Sequence, residues 1–575
     1  MLASLFRALL KGRPEERDSA AGFAAWQRGD PEGAEIRFRR AIASGHDTAD
    51  VLHGFGTVLI KVGKLDEGVQ ALRLAVEREP LNAGYQVALG TALASTNQDP
   101  AEVITHLREA MRLAPGVAGI EAYLYSQVSA LCDWRAGEEI VADIVARARS
   151  EPPQLWTQRV FPFDTLFMPV APELRREVAR HFAARIAAPA APAAPPPQSG
   201  PRGRRLRIGY ASADFRNHAT AHLAAGLFER HDRERFEIFG YSFGRDDGSD
   251  YRRRLAGAFD RFVDARDEPF AATARRIAGD GIDILVDLMG YVQHSRPEVF
   301  AHRPAPLQVS YLGYPGSLQS PSIDYVVADR TVIPASDFGW FSEAVVWLPG
   351  SYQVNDDRQR MDADPPTRTA CGLPEDAFVF CSFNQVRKLD RPVFAAWMRI
   401  LAATPGSVLW ILAGHPRAQA NLRSAAAGAG VDPGRLVFAE VVDKPAHLAR
   451  HRLADLLLDT HTCCAHTTAS DALWAGLPLL AWPGDSFAGR VSASLLRAIG
   501  LPELIVAGRD DYEQTAIALA RDRPRLRALR ARLEANRSTM PLFDTAAFTR
   551  HLERAFEEMH ARRLRRAPPA AFAVA

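Results

Sequence analysis

The sequence predicts an α + α/β chain: a helical repeat array followed by two doubly wound, parallel-sheet domains. Three observations carry this. Small residues recur at a 34-residue interval near the start, a Pro/Ala-rich stretch then interrupts the chain, and beyond it short apolar runs alternate with helical stretches in two sets. At 575 residues the chain is also too long for a single hydrophobic core.

The repeats come first. Residues 1–20 read as an N-terminal amphipathic helix, because the apolar Met1–Leu10 is interrupted by Arg7 and has no small-residue cleavage site. Over residues 21–115, Gly22, Gly56 and Gly90 keep a 34-residue step, followed in register by Gly29, Gly63 and Asn97. Ala41, Ala75 and Ala110 follow at 34 and 35, and Pro80 and Pro115 close the second and third units. Small residues let paired helices approach, and proline ends the second helix of each pair. This is the tetratricopeptide pattern. Residues 116–186 read as further helices, including Gly137–Arg149 and Pro172–Ile186. Residues 187–203 (AAPAAPAAPPPQSGPRG) read as an exposed, semi-rigid linker.

The two sheet domains follow. The first, residues 204–355, has strand candidates Leu206–Ser212, Phe236–Tyr241, Ile282–Leu288, Leu307–Leu312 and Ile323–Ala328. After a Pro- and Asp-rich connector, 356–371, the second domain, 372–575, has Phe378–Asn384, Val408–Ala413, Leu436–Glu440, Ala454–Asp459 and Leu477–Pro483. Continuous apolar strands separated by helices indicate parallel sheets covered on both faces. Ligands of such sheets bind beyond the carboxyl ends of the strands, so a cleft between the domains is the expected site.

Composition narrows the function. Hydrophobic residues make up 47% and charged residues 24%, with a net charge of +2. That balance argues against general nucleic-acid or membrane binding. No run of about 18 apolar residues is present, so no membrane span is expected. Five cysteines without a Cys-x-x-Cys pair argue for a reducing, cytoplasmic setting and against a zinc site. Of 70 basic residues only five are Lys, and Lys388 and Lys444 are the only two after residue 64. A compact ammonium in an Arg-rich chain fits a place where a planar guanidinium does not.

Three stretches carry candidate chemistry. In Val442–Asp471, Lys444, His447 and Arg450 fall on one face of a predicted helix, and His466, Thr467, Thr468 and Asp471 lie at a strand-to-helix turn. Hydroxyls and N–H groups at such a turn form an anion site, although Thr467 and Thr468 are equally ordinary capping residues. In Ser382–Asp390, Gln385 and Lys388 follow an apolar strand, and Lys388 can neutralise a leaving diphosphate. In Tyr210–His222, Asp214, Asn217, His218 and His222 occupy another strand-to-helix loop, where a histidine can act as general base. Asp362 and Asp364 have the Asp-x-Asp form of a metal site but lie in the connector and not after a strand. The first strand is not followed by Gly-x-Gly-x-x-Gly, which argues against nicotinamide.

These motifs resemble a known family. ADFRNHATAHL (213–223), RPAPLQVSYLGYPGS (303–317), FNQVRKLD (383–390) and HTTASDALWAGLP (466–478), with Cys132-Asp133-Trp134 and the repeats, are similar to the O-linked N-acetylglucosamine transferases of glycosyltransferase family 41 in their bacterial form. The resemblance implies two facing Rossmann-like domains, the GT-B architecture. It implies transfer of N-acetylglucosamine from UDP-N-acetylglucosamine to Ser or Thr hydroxyls of proteins, with inversion and without metal or other cofactor. His466, Thr467 and Thr468 match phosphate-binding residues and Asp471 a ribose ligand. Val442, Lys444, His447 and Arg450 match uridine-side contacts. Gln385 and Lys388 match diphosphate contacts, with Lys388 as leaving-group stabiliser. Leu312, Gly313, Tyr314 and Pro315, with Cys463 nearby, match the sugar pocket, and His218 and Asp214 match the catalytic positions. The implied partners are protein or peptide acceptors, with partner proteins on the repeats. Two alternatives stay open: a GDP-fucose-dependent enzyme, and a repeat scaffold with an inactive transferase half. Where eukaryotic members carry an asparagine ladder in the repeats, this chain has Gly54 and Ala88.

Overall fold

A computed structural model describes residues 14–28, 30–96, 98–115, 119–187 and 204–575. Predicted features at 1–13, Gly29, Asn97 and most of the 187–203 linker lie outside the described residues. The chain divides into two compact units, one running to Asp143 with Gln158–Val160, the other Ile144–Thr157 with Phe161–Ala575.

The first unit is built from helix pairs: Pro14–Gln27 with Pro31–Ala43, Ala49–Lys61 with Leu65–Arg78, and Ala83–Ser95 with Pro100–Leu113. Helix Ile120–Ala130 adds to the stack. The spaced glycines sit where the paired helices touch. A Cβ on Gly56 would meet Leu72 Cγ at 2.7 Å and one on Gly90 would meet Leu107 Cδ2 at 2.7 Å. Ala41, Ala75 and Ala110 are fully buried. Each pair's second helix stops two residues before Pro80 or Pro115 in the second and third repeats.

The second unit holds two all-parallel sheets. In the first, β1 (Leu206–Ser212), β2 (Phe236–Ser242), β3 (Arg261–Asp264), β4 (Ile284–Asp287), β5 (Leu307–Ser310), β6 (Tyr325–Ala328), β7 (Ala344–Trp347) and a final strand, β13 (Phe572–Ala573), run in the order β13-β7-β6-β5-β4-β1-β2-β3. In the second, β8 (Phe378–Ser382), β9 (Ser407–Leu412), β10 (Leu436–Ala439), β11 (Leu456–Leu458) and β12 (Leu479–Leu480) run β10-β9-β8-β11-β12. Both follow one winding rule. The first strand of each sheet sits between its second and fourth, so the order reverses at β1/β4 and at β8/β11. The loops leaving those strands splay apart and open a crevice.

Three predictions need correcting. Residues 157–171 are not continuous helix: Pro162, Pro169 and Pro172 restrict them to short 3₁₀ turns, Thr157–Arg159 and Asp164–Leu166. The region 372–575 is not one domain, because helix Thr545–Leu564 and β13 return to the first sheet. Glu553 on that helix accepts from Asp232 N at 2.8 Å and lies 3.0 Å from His231 Nδ1, while His231 Nε2 is 2.9 Å from Tyr210 OH on β1. β13 pairs with β7. Finally, β3 and β7 were not anticipated. β3 is a partly exposed edge strand whose RFVD sequence lacks an apolar run.

Candidate active site

The second sheet supplies a cationic corner. β8 ends at Ser382, and the chain turns through a single 3₁₀ turn, Val386–Lys388, before Asp390 caps helix Arg391–Ala403. Gln385 is exposed at the head of this turn. Lys388 Nζ donates to the Cys464 carbonyl at 2.7 Å, which draws the β8 loop onto the loop leaving β11. That second loop leads into helix Thr467–Trp474, and no side chain caps its N-terminus. Thr467 and Thr468 are therefore placed at an open helix end beside an ammonium, an arrangement suited to a diphosphate. His466 Nε2 donates to the Ala488 carbonyl at 2.9 Å. Burial, reinforced by the nearby charge of Lys388, pushes the His466 imidazole down to about 3. His466 is thus neutral at physiological pH and offers an anion shape and polarity but no charge.

Helix Lys444–Arg450 forms the adjoining wall. Lys444 Nζ is ion-paired with Asp471, and His447 Nε2 lies 3.6 Å from the other Asp471 oxygen. Burial raises the Asp471 carboxyl and Lys444 opposes that rise. His447 is held neutral, chiefly by burial and then by the charges around it. Val442, just ahead of the helix, is 42% exposed. Arg450 is not a wall residue. It is only 5% exposed, its guanidinium lies 4.4 Å over the Phe383 ring, and it donates to the Glu440 carbonyl and to His447 Nδ1 at 2.6 Å. The reason is packing: the last turn of a short helix on a buried sheet points inward. Arg450 orients His447 and does not line the wall.

The first sheet supplies the opposite side. His218 is the N-cap of helix Ala219–Arg230, and its Nδ1 lies 3.3 Å from Thr220 N and 3.2 Å from Asp214 Oδ2. The two contacts compete. If Nδ1 accepts from Thr220, the proton sits on Nε2; if Nδ1–H donates to Asp214, Nε2 is left as a free acceptor. Burial lowers the His218 pKa from its ordinary value, and Asp214 opposes the shift. His222 one turn later is held by Asn217 Oδ1 at 2.7 Å and pushed to about 3 by burial, then by Lys444 and His218. Lys444 belongs to the second sheet domain, so the β1 loop and the Lys444 helix face each other.

The Leu312–Pro315 loop follows β5 under constraint. Leu312 adopts φ +71°, a left-handed conformation costly for a residue with a Cβ. A side chain at Gly313 would run into the Leu288 carbonyl of the β4 loop. Tyr314 is buried, its ring 5.7 Å from Tyr291, and Pro315 is buried beside it. Cys463 is buried across the cleft with its thiol pKa raised by burial and moderated by Lys388 and Arg387. Asp362 and Asp364 are exposed in the connector, and among the described residues no cluster of His, Cys, Asp or Glu is placed to hold a metal.

The Glycosyl transferase family 41 model matches residues 131–363 and 365–552. The chain belongs to this family. It is 38% identical over 451 residues to the probable UDP-N-acetylglucosamine--peptide N-acetylglucosaminyltransferase SEC of Arabidopsis thaliana, covering 76% of this chain and 46% of that protein. It is 30% identical over 463 residues to the UDP-N-acetylglucosamine--peptide N-acetylglucosaminyltransferase of Caenorhabditis elegans, covering 61% and 40%. The chain thus spans less than half the length of either relative. Among solved structures, a mutant of the Thermobaculum terrenum O-GlcNAc transferase is similar at a TM-score of 0.69 and 28% identity, covering 95% of this chain and 97% of that one. That likeness bears out the GT-B arrangement of repeat array and two Rossmann-like domains.

Several residues at this family 41 site were not singled out from the sequence. Asp287 at the end of β4 accepts from Met289 N and Gly290 N, and burial raises its carboxyl to about 6. Tyr251 packs against His222, the rings tilted with centroids 4.5 Å apart. Gln353 donates to Ser470 Oγ at 2.7 Å and ties the chain ahead of the connector to helix Thr467–Trp474. A carboxylate at a strand's end was the one available signal for Asp287. The others are ordinary residues that only folding brings to the site.

Proposed function

We propose that this chain transfers N-acetylglucosamine from UDP-N-acetylglucosamine to Ser or Thr hydroxyls of protein acceptors, with inversion at the anomeric carbon. One observation carries the reading. Lys388 and the uncapped helix end at Thr467 and Thr468 meet at one sheet's switch point, opposite a histidine–carboxylate pair at the other's.

In this reading the diphosphate lies on the helix end beside Lys388, with Asp471, Lys444 and His447 toward the nucleoside. The sugar lies against Leu312–Pro315 and Cys463. The acceptor oxygen forms its bond to the anomeric carbon as the bond to the diphosphate breaks. The electron pair leaves on the phosphate oxygen, where Lys388 and the helix dipole stabilise it. The hydroxyl proton passes to His218 Nε2 when Nδ1–H is held by Asp214, or to a donor phosphate oxygen. Preorganised positive charge performs the task that a divalent ion performs elsewhere, so no metal is required.

The test is Lys388→Ala beside wild type, assayed with UDP-N-acetylglucosamine and, separately, GDP-fucose on a Ser/Thr peptide, with product identification. Turnover should fall by about 10²- to 10³-fold while UDP binding weakens far less. Normal turnover would remove Lys388 from the mechanism, and a product carrying fucose from GDP-fucose would replace the donor. Wild-type activity should also survive EDTA. Strict recovery by Mg²⁺ or Mn²⁺ would bring Asp362 and Asp364 back into consideration.

A further inference from the structure

Lys388 has a neighbour the scheme above does not use. Arg387 stands on the same 3₁₀ turn, and its guanidinium packs on two adjoining phenyl rings, 4.4 Å from the Phe167 centroid and 5.1 Å from that of Phe163. Those rings meet edge to face at 5.3 Å and belong to the short segment Phe161–Phe167. Arg387 Nε is buried with no hydrogen-bond partner, and the rings and the nearby Asp164 carboxyl surround the group. Burial lifts that carboxyl to about 7, and the Arg387 charge opposes the rise.

The same segment reaches the other half of the site. Tyr314 OH donates to the Pro162 carbonyl at 3.3 Å, and Leu166 lies against Gly316 in the loop that follows. One strap of seven residues therefore touches the turn bearing Lys388 in the second sheet domain and the Tyr314 loop in the first.

We propose that Arg387 is a positioning residue for transfer: packed on Phe163 and Phe167, it locks the turn that aims Lys388, and the strap holds the Tyr314 loop in register with it. A 3₁₀ turn of three residues has little stiffness of its own, and its hydrogen bonds are poorly aligned. Anchoring Arg387 fixes the rotation of the turn, and with it the direction of the Lys388 stem. A cation packed on two aromatic rings is a strong anchor for its size when desolvated. The placement matters because a displacement of about 1 Å at a reacting centre costs on the order of 10² in rate.

This inference rests on the role given to Lys388, and the experiment separates the two. Arg387→Ala, Arg387→Lys and the double variant Phe163→Leu/Phe167→Leu are compared with Lys388→Ala for kcat, donor KM, UDP affinity and unfolding midpoint. Arg387→Ala should lower kcat by about 10²-fold with UDP affinity changed less than about threefold. The double Phe variant, which keeps the guanidinium, should show the same split, and Arg387→Lys should return kcat to within about tenfold of wild type because a cation remains against the rings. The leucines conserve most of the volume, and an unchanged midpoint certifies the fold. If Arg387→Ala loses UDP affinity in step with kcat while the double Phe variant is normal, Arg387 is a direct donor contact and the proposal is wrong. If all strap variants turn over normally while Lys388→Ala is inactive, the proposal alone fails. If Lys388→Ala is active, the reading beneath it fails first.

Discussion

At the scale of single residues, the competition at His218 Nδ1 gives a sharp expectation. A histidine serves as base only through a free nitrogen lone pair, and Asp214 selects the tautomer that leaves Nε2 free, against the Thr220 N–H that selects the other. His218→Ala should lose about 10²- to 10⁴-fold in kcat with little change in UDP binding. Asp214→Asn should also lose rate, because an amide can donate to Nδ1 and stabilise the unproductive tautomer. The pH profile distinguishes the two roles. Burial already lowers the His218 pKa and Asp214 raises it, so the acid limb of kcat/KM should lie below the ordinary histidine value of about 6.5. Removing the Asp214 charge should move that limb lower still. An acid limb indifferent to both variants would assign the proton to a donor phosphate oxygen.

At the scale of elements, the C-terminal helix matters most. Thr545–Leu564 follows the second sheet in sequence yet buries Phe556 against Tyr210 of β1 and closes the Tyr210–His231–Glu553 chain of polar contacts. Cutting the chain before Thr545 should therefore damage the first sheet domain, not only the end nearest the cut. Tyr210 and the His231 pair would meet water, and removing even one buried phenyl side chain such as Phe556 costs about 3 kcal/mol or more. The expected result is an insoluble protein or a large fall in unfolding midpoint. A truncated protein that keeps the wild-type midpoint would show the helix to be an appendage. Removing only β13, a two-residue edge pairing with β7, should be mild by comparison.

At the scale of the whole molecule, every residue of the candidate site belongs to the second unit, and the repeats of the first contribute none. Removing residues 1–115 should leave UDP affinity nearly unchanged while protein-acceptor use falls far more than use of a short peptide. Calorimetric titration of UDP against a soluble, demonstrably folded truncation checks this. Loss of UDP binding there would mean the repeats help build the nucleotide site. The repeats are apt for acceptor proteins because stacked helix pairs present extended surfaces. No helix among the described residues is long and apolar enough to cross a membrane.

The sequence by itself determined the repeat register and the loops that carry the site. A helix pair that touches through Gly56 or Gly90 writes its period into contiguous residues, and a strand followed by His218, Lys388 or Thr467 marks a carboxyl end wherever the strand finally sits. What tertiary structure alone decided was pairing across distance. The order reversal at β1/β4 and β8/β11 chose which loops share a crevice. The return of Thr545–Leu564 chose the helix that seals β1. Packing turned Arg450 inward while Lys444 and His447, on the same helical face, stayed at the wall. Phe163 and Phe167 carry no periodic or motif signal, and the FNQVRKLD motif does not reveal what Arg387 packs on, because cation–aromatic contacts depend on side-chain geometry between segments far apart in the chain. Local conformational preference is encoded locally, but burial and contact are properties of the closed fold, and the chemistry at Lys388 depends on both.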